Sequence, residues 1–178
     1  EHPFKVLFDY GHNAHAVGAM ADLAQRLDVT GRRIVVLAGP GDRRDEDLQA
    51  IADAVAGRFD HYICRRDDSL RWRDGDTVPL ILSRRLKEQG VPESQISIIP
   101  DEQEAIDAAL RMSRAGDLLL VFADALIRSW KQIIKFRPEG APPKPVPLAT
   151  AANEAAGDPV ALAHEARLRE LMEGAVRD

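Results

Sequence analysis

Asp9, His12 and Asn13 crowd one short stretch, FDYGHNA, near the start of the chain. A carboxylate can accept hydrogen bonds from two hydroxyls at once, an imidazole gains and loses a proton near neutral pH, and a carboxamide both donates and accepts. The same residues also suit a helix N-terminus, where Asn13 or Asp9 would accept backbone N–H bonds. Three more polar clusters follow: Gly39-Pro40-Gly41-Asp42-Arg43-Arg44, then Arg65-Arg66-Asp67-Asp68-Ser69-Leu70-Arg71, then Ala123-Asp124. Arg43 carries the planar fork that fits oxyanions. Each cluster has a plainer reading. GDRRDED can be a turn with an acidic first helical turn, and RRDDSLRWR a solvated, self-neutralising loop. Neither G-x-x-x-x-G-K-[ST] nor G-x-G-x-x-G occurs, so the chain carries no phosphate-loop fingerprint of its own. Cys64, inside HYIC, reads as a strand residue rather than a nucleophile, and the histidines have no metal-ligand spacing. Trp130 and Lys131 fit a helix stripe as readily as a site.

These clusters matter only if the fold gathers them. Phe4 to Phe8, Arg33 to Ala38, His61 to Cys64, Gln95 to Ile99 and Leu118 to Phe122 are short apolar runs that read as strands. Between them lie helical patterns. Val17, Met20, Leu23, Ala24 and Leu27 line one; Leu48, Ile51, Ala52 and Val55 line the next, with Gly57 as its stop. Further helices are expected over Val78 to Gln89, with Gly90 behind, after the capping pair Asp101 and Glu104, and over Ala125 to Phe136. Strands alternating with helices predict a Rossmann-like α/β three-layer sandwich with a mostly parallel sheet over residues 1–137. All four polar clusters then fall at the carboxyl ends of strands, where open parallel sheets bind ligands. The Pro-rich stretch at 138–147 reads as a linker, and residues 148–178 as a short helical tail.

The 178 residues are 45% apolar and 30% charged, with a net charge of −5. That composition suits a globular domain and argues against nucleic-acid binding. No apolar stretch approaches a membrane span of roughly 20 residues, and a single cysteine excludes an intrachain disulfide. A cytoplasmic setting is expected, and homo-oligomerisation stays open. The opening Glu-His-Pro, just before the first strand, suggests a piece of a longer polypeptide.

DYGHNA resembles the D-Y-x-H-N-P segment that opens the C-terminal domain of Mur-type ligases, the ATP-dependent amide ligases that include peptidoglycan stem-peptide ligases, folylpolyglutamate synthase and cyanophycin synthetase. GDRRDED looks like the segment after that domain's second strand. RRDDSLRWR, GDLLLVFAD and RSWKQI look most like the cyanophycin synthetase branch, in the same order, over about residues 4–136. Ala14 stands where the motif has Pro, which removes no functional group.

The resemblance implies a ligase whose phosphate loop lies in a central domain upstream, so this chain alone would be inactive. ATP, with Mg2+ bound mostly by that central domain, would phosphorylate a carboxylate, and an incoming amino acid would attack the acyl phosphate. This domain would close over the intermediate. By the same resemblance, Asp9, with Tyr10 beside it, would meet the ATP ribose. His12 and Asn13 would face the phosphates or the acyl phosphate, and Asp42 and Arg43 the interdomain contact around the nucleotide. Asp67, Asp68, Arg71 and Asp124 would bind the amino acid. For arginine, Arg71 would hold its carboxylate and an aspartate its guanidinium. The alternatives are another Mur-type ligase, of murein or folylpolyglutamate type, and a non-catalytic nucleotide-binding regulatory module. An upstream G-x-x-x-x-G-K-[ST] would favour either ligase over the module.

Overall fold

A computed structural model describes residues 2–67, 70, 71, 73 and 75–137. The expected linker over 138–147 and tail over 148–178 lie outside the described residues. Five strands and five α-helices alternate: β1 (Lys5–Asp9), α1 (Ala14–Arg26), β2 (Arg33–Leu37), α2 (Asp45–Val55), β3 (His61–Cys64), α3 (Thr77–Glu88), β4 (Ile96–Ile98), α4 (Glu102–Met112), β5 (Leu118–Phe122) and α5 (Leu126–Lys135). The strands form one sheet in the order β1-β5-β2-β3-β4, and every pairing is parallel.

Alternation along the strands splits the core in two. Val35, Leu37, Leu118, Leu120 and Phe122 face one side, where α1, α2 and α3 cover them with Val17, Ala21, Leu48, Ile51 and Leu82. Ile34, Val36, Leu119 and Val121 face the other, under α4 and α5 with Ala105, Ile106, Leu110 and Ile133. A sheet buried on both faces needs apolar residues at consecutive positions, which is why RIVVL and LLLVF lack polar alternation. Each fully buried large aliphatic side chain contributes about 1.5–3 kcal/mol.

Gly57 and Gly90 follow α2 and α3 with φ of 73° and 85°, a left-handed backbone that a Cβ would penalise. Most expected boundaries lie within a residue or two of the observed ones. One difference has functional weight. Asp9 is the last residue of β1, paired with Phe122 of β5, rather than the first residue of the loop. The ladder therefore fixes its backbone, and Ala123 N–H donates to its carbonyl at 3.0 Å.

Candidate functional site

The carboxyl ends of β1, β2, β3 and β5 lie side by side in this strand order, so their loops share one edge of the sheet. A hollow there is lined by Gly11, His12, Gly39, Arg65 and Asp124 among others.

Its first wall is the turn after β1. Asp9 Oδ1 accepts from Gly11 N–H at 2.6 Å. A Cβ on Gly11 would lie 2.8 Å from that oxygen and 3.2 Å from the Phe122 ring, so a larger residue there would have to displace the Asp9 carboxylate. Tyr10, 46% exposed, meets His12 edge-on with ring centroids 5.1 Å apart. His12 Nδ1 is buried without a hydrogen-bond partner. Asn13 Oδ1 accepts from Ala16 N–H at 2.9 Å, which makes Asn13 the N-cap of α1. The plainer reading of this stretch, a helix N-cap, is thus realised for Asn13, while Asp9 closes the turn ahead of the helix and His12 keeps an unused ring nitrogen beside the hollow.

The second wall follows β2. A Cβ on Gly39 would meet Leu48 at 2.5 Å, and one on Gly41 would meet the Leu70 carbonyl at 2.3 Å. That second approach brings the β3–α3 loop onto the β2–α2 loop. Arg73 fastens them, donating from Nε to Gly41 O at 2.8 Å and pairing with Asp45 at 2.7 Å. Asp42 and Arg43 are exposed at the tip.

Arg71 stands between these loops with φ of 43°, the one described non-glycine residue in the left-handed region. Its guanidinium pairs with Asp67 Oδ2 at 3.2 Å and with Asp42 at 3.4 Å. The Asp67 charge, then that of Asp42, holds the guanidinium above its ordinary pKa. Asp67 is buried, so the β3–α3 loop is not a fully solvated strip. A substrate carboxylate bound by Arg71 would share it with these two aspartates. Asp68 lies outside the described residues.

The floor of the hollow is a cluster in which sequence reasoning named Asp124 and missed its partners Arg65 and Glu102. Arg65 has no exposed surface. Its Nη2 donates to Phe122 O at 2.8 Å and pairs with Glu102 Oε2 at 2.9 Å. Its Nη1 donates to Arg66 O at 2.6 Å and pairs with Asp124 Oδ2 at 3.1 Å, and its Nε has no partner. Glu102, 1% exposed, also accepts from Asp124 N–H at 2.8 Å, from Ala125 N–H at 3.2 Å and from the Ser129 hydroxyl. It thereby caps the start of α5 from a neighbouring helix, where the local N-cap, Ala125, has no side chain to do so. One signal was available in the sequence. Glu102 sits on the same helical stripe as Ala105, Ile106, Ala109 and Leu110, so a charge falls at a core position.

Of the expected site residues, His12 and Asp124 meet at this hollow, with Asp9 and Tyr10 adjoining. Asp42, Asp67 and Arg71 form a separate ion-pair group. Among the described residues, no group of three or more His, Cys, Asp or Glu side chains could hold a metal ion. No helix there is long and apolar enough to cross a membrane. Cys64 is buried, which pushes its thiol up to about 12 and away from nucleophilic use.

Residues 1–125 match the family described as Mur ligase, glutamate ligase domain. The cyanophycin synthetase of Geminocystis herdmanii is 35% identical over 133 residues, covering 75% of this chain and 15% of that protein. The chain thus spans about a seventh of that relative's length. A solved UDP-N-acetylmuramoyl-L-alanyl-D-glutamate–2,6-diaminopimelate ligase shares the fold with a TM-score of 0.59 at 20% identity, over 75% of this chain and 30% of that one. Mycobacterium tuberculosis folylpolyglutamate synthase, solved with ADP and AMPPCP, gives 0.53 at 20% identity, over 75% and 30%.

Proposed function

The chain belongs to the Mur ligase, glutamate ligase domain family, and on that premise we propose that it is the C-terminal domain of an ATP-dependent amide ligase of the cyanophycin synthetase type. Its task is to complete the nucleotide site and the pocket for an incoming amino acid, with arginine as that substrate. The observation that carries this reading is the gathering of His12, Arg65 and Asp124 around one hollow at the carboxyl edge of a parallel sheet, with Asp9 adjoining through its bond to Gly11.

In the proposed reaction the acceptor carboxylate attacks the γ-phosphorus of ATP and ADP leaves. The amine nitrogen then attacks the acyl carbon, phosphate leaves with the C–O bond electrons, and the amine loses a proton. Phosphorylation belongs to upstream domains of the parent protein. This chain brings the other wall. Asp9 suits the ribose hydroxyls because the β1–β5 ladder fixes its backbone beside the hollow. The unpartnered ring nitrogen of His12 suits a phosphate oxygen or the acyl phosphate, and exposed Asp42 and Arg43 suit contact with the nucleotide-bearing domain. Asn13 is given a supporting place, because its oxygen already caps α1. Asp67, Asp68, Arg71 and Asp124 make up the amino-acid side. Closure over the acyl phosphate would exclude the water that hydrolyses it. The described residues do not fit a resident Mg2+, so Mg2+ is taken to enter with ATP, and no step is routed through it.

The test is ADP release by the full-length protein containing this chain, with ATP, Mg2+ and an aspartate-polymer primer, across a panel of amino acids. Arginine-dependent release that falls at least about a hundredfold in Asp9→Ala supports the reading, since two charge-assisted hydrogen bonds would be lost. Release with a different amino acid keeps the ligase and changes the substrate. ATP binding without release for any amino acid supports the regulatory module instead.

A further inference from the structure

α5 meets the rest of the domain along a narrow stripe. Ser129 and Ile133 are buried and Gln132 and Phe136 half-buried, whereas Ile127, 74% exposed, Trp130 and Ile134 face solvent. So do Arg128, Lys131 and Lys135. Residues 126–137 carry no acidic side chain, in a chain of net charge −5. Lys131 and Lys135 form no ion pair among the described residues.

At about 100° per residue, these side chains fall into three arcs around the helix. Ser129, Gln132, Ile133 and Phe136 make the buried arc. Ile127, Trp130 and Ile134 make an apolar arc on one side of it, and Arg128, Lys131 and Lys135 a basic arc on the other. Directly opposite the buried stripe runs the seam where the apolar and basic arcs meet. At a rise of about 1.5 Å per residue, the ten residues of α5 make that seam about 15 Å long. Its position is fixed. The Trp130 ring packs on Phe8 with centroids 5.8 Å apart, Gln103 Nε2 donates to the Ser129 hydroxyl at 3.0 Å, and Gln132 Nε2 donates to Gln103 O at 2.8 Å.

An apolar stripe this exposed marks an interaction surface, and the basic stripe beside it indicates an acidic partner. A flat anionic membrane fits poorly. The outward direction falls on the seam, so a bilayer would take in the lysines as deeply as the isoleucines, and charge is costly there. An extended peptide fits better. Its side chains alternate between two directions, each row repeating about every 6.8 Å. A chain lying in the seam can turn one row to the basic arc and the other to the apolar arc.

We propose that the outer seam of α5 is a docking site for an extended acidic peptide in which carboxylate side chains alternate with apolar ones. The carboxylates meet Lys131 and Lys135, and the apolar row covers Ile127, Trp130 and Ile134. None of these five residues lines the hollow, so the inference goes beyond the ligase reading and does not rest on it.

The test titrates the full 178-residue chain into a labelled peptide of alternating aspartate and valine and follows its anisotropy. A peptide of about twelve residues spans the seam more than twice. Binding is expected with a Kd below about 1 mM, and it should weaken with added salt. Lys131→Glu with Lys135→Glu should weaken it at least about tenfold. Arg26→Glu with Arg84→Glu makes the same change of charge on exposed residues of α1 and α3, and should alter it less than about twofold. Ile127→Ser should weaken it about threefold, as should serine for valine in the peptide. Asparagine for aspartate in the peptide should abolish it. The peptide substitutions leave the protein unchanged, so the result does not depend on the variants folding.

No binding of the aspartate–valine peptide up to about 1 mM, or equal loss in the α1 and α3 variant, overturns the inference. Binding to mixed phosphatidylcholine–phosphatidylserine vesicles but not to the peptide would make the seam a membrane-facing surface instead. Self-association of the free chain that Ile127→Ser abolishes, with the peptide unbound, would make it a contact between copies. Either outcome removes the peptide as the occupant.

Discussion

The two edges of the sheet each bury a carboxylate against an arginine, and they use it differently. At the amino edge, Asp117 accepts from Arg32 N–H at 2.8 Å, Arg114 N–H at 2.9 Å and the Arg32 guanidinium at 2.9 Å. Gly31 and Gly116 press against the same spot, where a Cβ on Gly31 would lie 2.3 Å from Asp117 Oδ1. The donors and acceptors close on one another. At the carboxyl edge, Glu102 is equally well satisfied, but Asp124 opens onto a hollow beside the unpartnered His12 Nδ1. Residue type therefore does not separate structural from functional charge. What separates them is whether the network leaves a polar group facing a space.

The largest expected effect probes the structural half of that contrast. Glu102→Ala removes the buried carboxylate paired with Arg65 Nη2 and leaves two backbone N–H groups and a hydroxyl without their acceptor, and should cost about 3–5 kcal/mol in denaturant unfolding. A loss below about 1 kcal/mol would mean that the cluster bears little structure. Asp117→Ala should cost about 2–3 kcal/mol by leaving its donors unpaired, while ligand binding at the far edge is retained. Loss of that binding in a folded Asp117→Ala protein would break the comparison.

Asp117 also predicts a pH dependence. Burial acts to raise its pKa, and the hydrogen bonds from Arg114 and Arg32 outweigh it, so the folded value lies below the ordinary one. Its stabilisation is present above the unfolded value of about 3.9 and is lost as pH falls through the folded value. Stability should therefore drop more steeply below about pH 4 in the native protein than in Asp117→Asn.

Asn13→Ala should cost about 1 kcal/mol through loss of the cap. Asn13→Asp keeps the acceptor and should retain that stability. Ligase activity that survives the aspartate makes Asn13 a cap alone, whereas activity lost at full stability gives its amide a chemical part. The smallest effect concerns Cys64, whose buried thiol should react with a disulfide reagent only as fast as the protein opens.

Much of this was legible before the fold. Continuous apolar runs gave the buried strands, and Gly57 and Gly90 gave helix ends because their φ is positive. Alternation of strands and helices implied parallel pairing and so drew the four polar loops to one edge. The Arg65–Glu102 pair stayed hidden for a physical reason. Arg65 opens a charged run that reads as solvated, and Glu102 in a first helical turn reads as a response to the helix dipole. The helical stripe places Glu102 on a core face, but that it meets Arg65 is decided by a contact between the end of β3 and α4, which no local pattern encodes. The end of β1 was misjudged by one residue because charge ordinarily marks a loop, and here the ladder with β5 extends through Asp9.

The most direct test of the account is to map backbone amide shifts of the 178-residue chain during titration with Mg2+·ADP. The account predicts that Gly11, His12, Gly39 and Gly41 move while Gly31 and Gly116, at the opposite edge, stay fixed. Shifts centred on Gly31 and Gly116, with Gly11, His12, Gly39 and Gly41 unmoved, would contradict it.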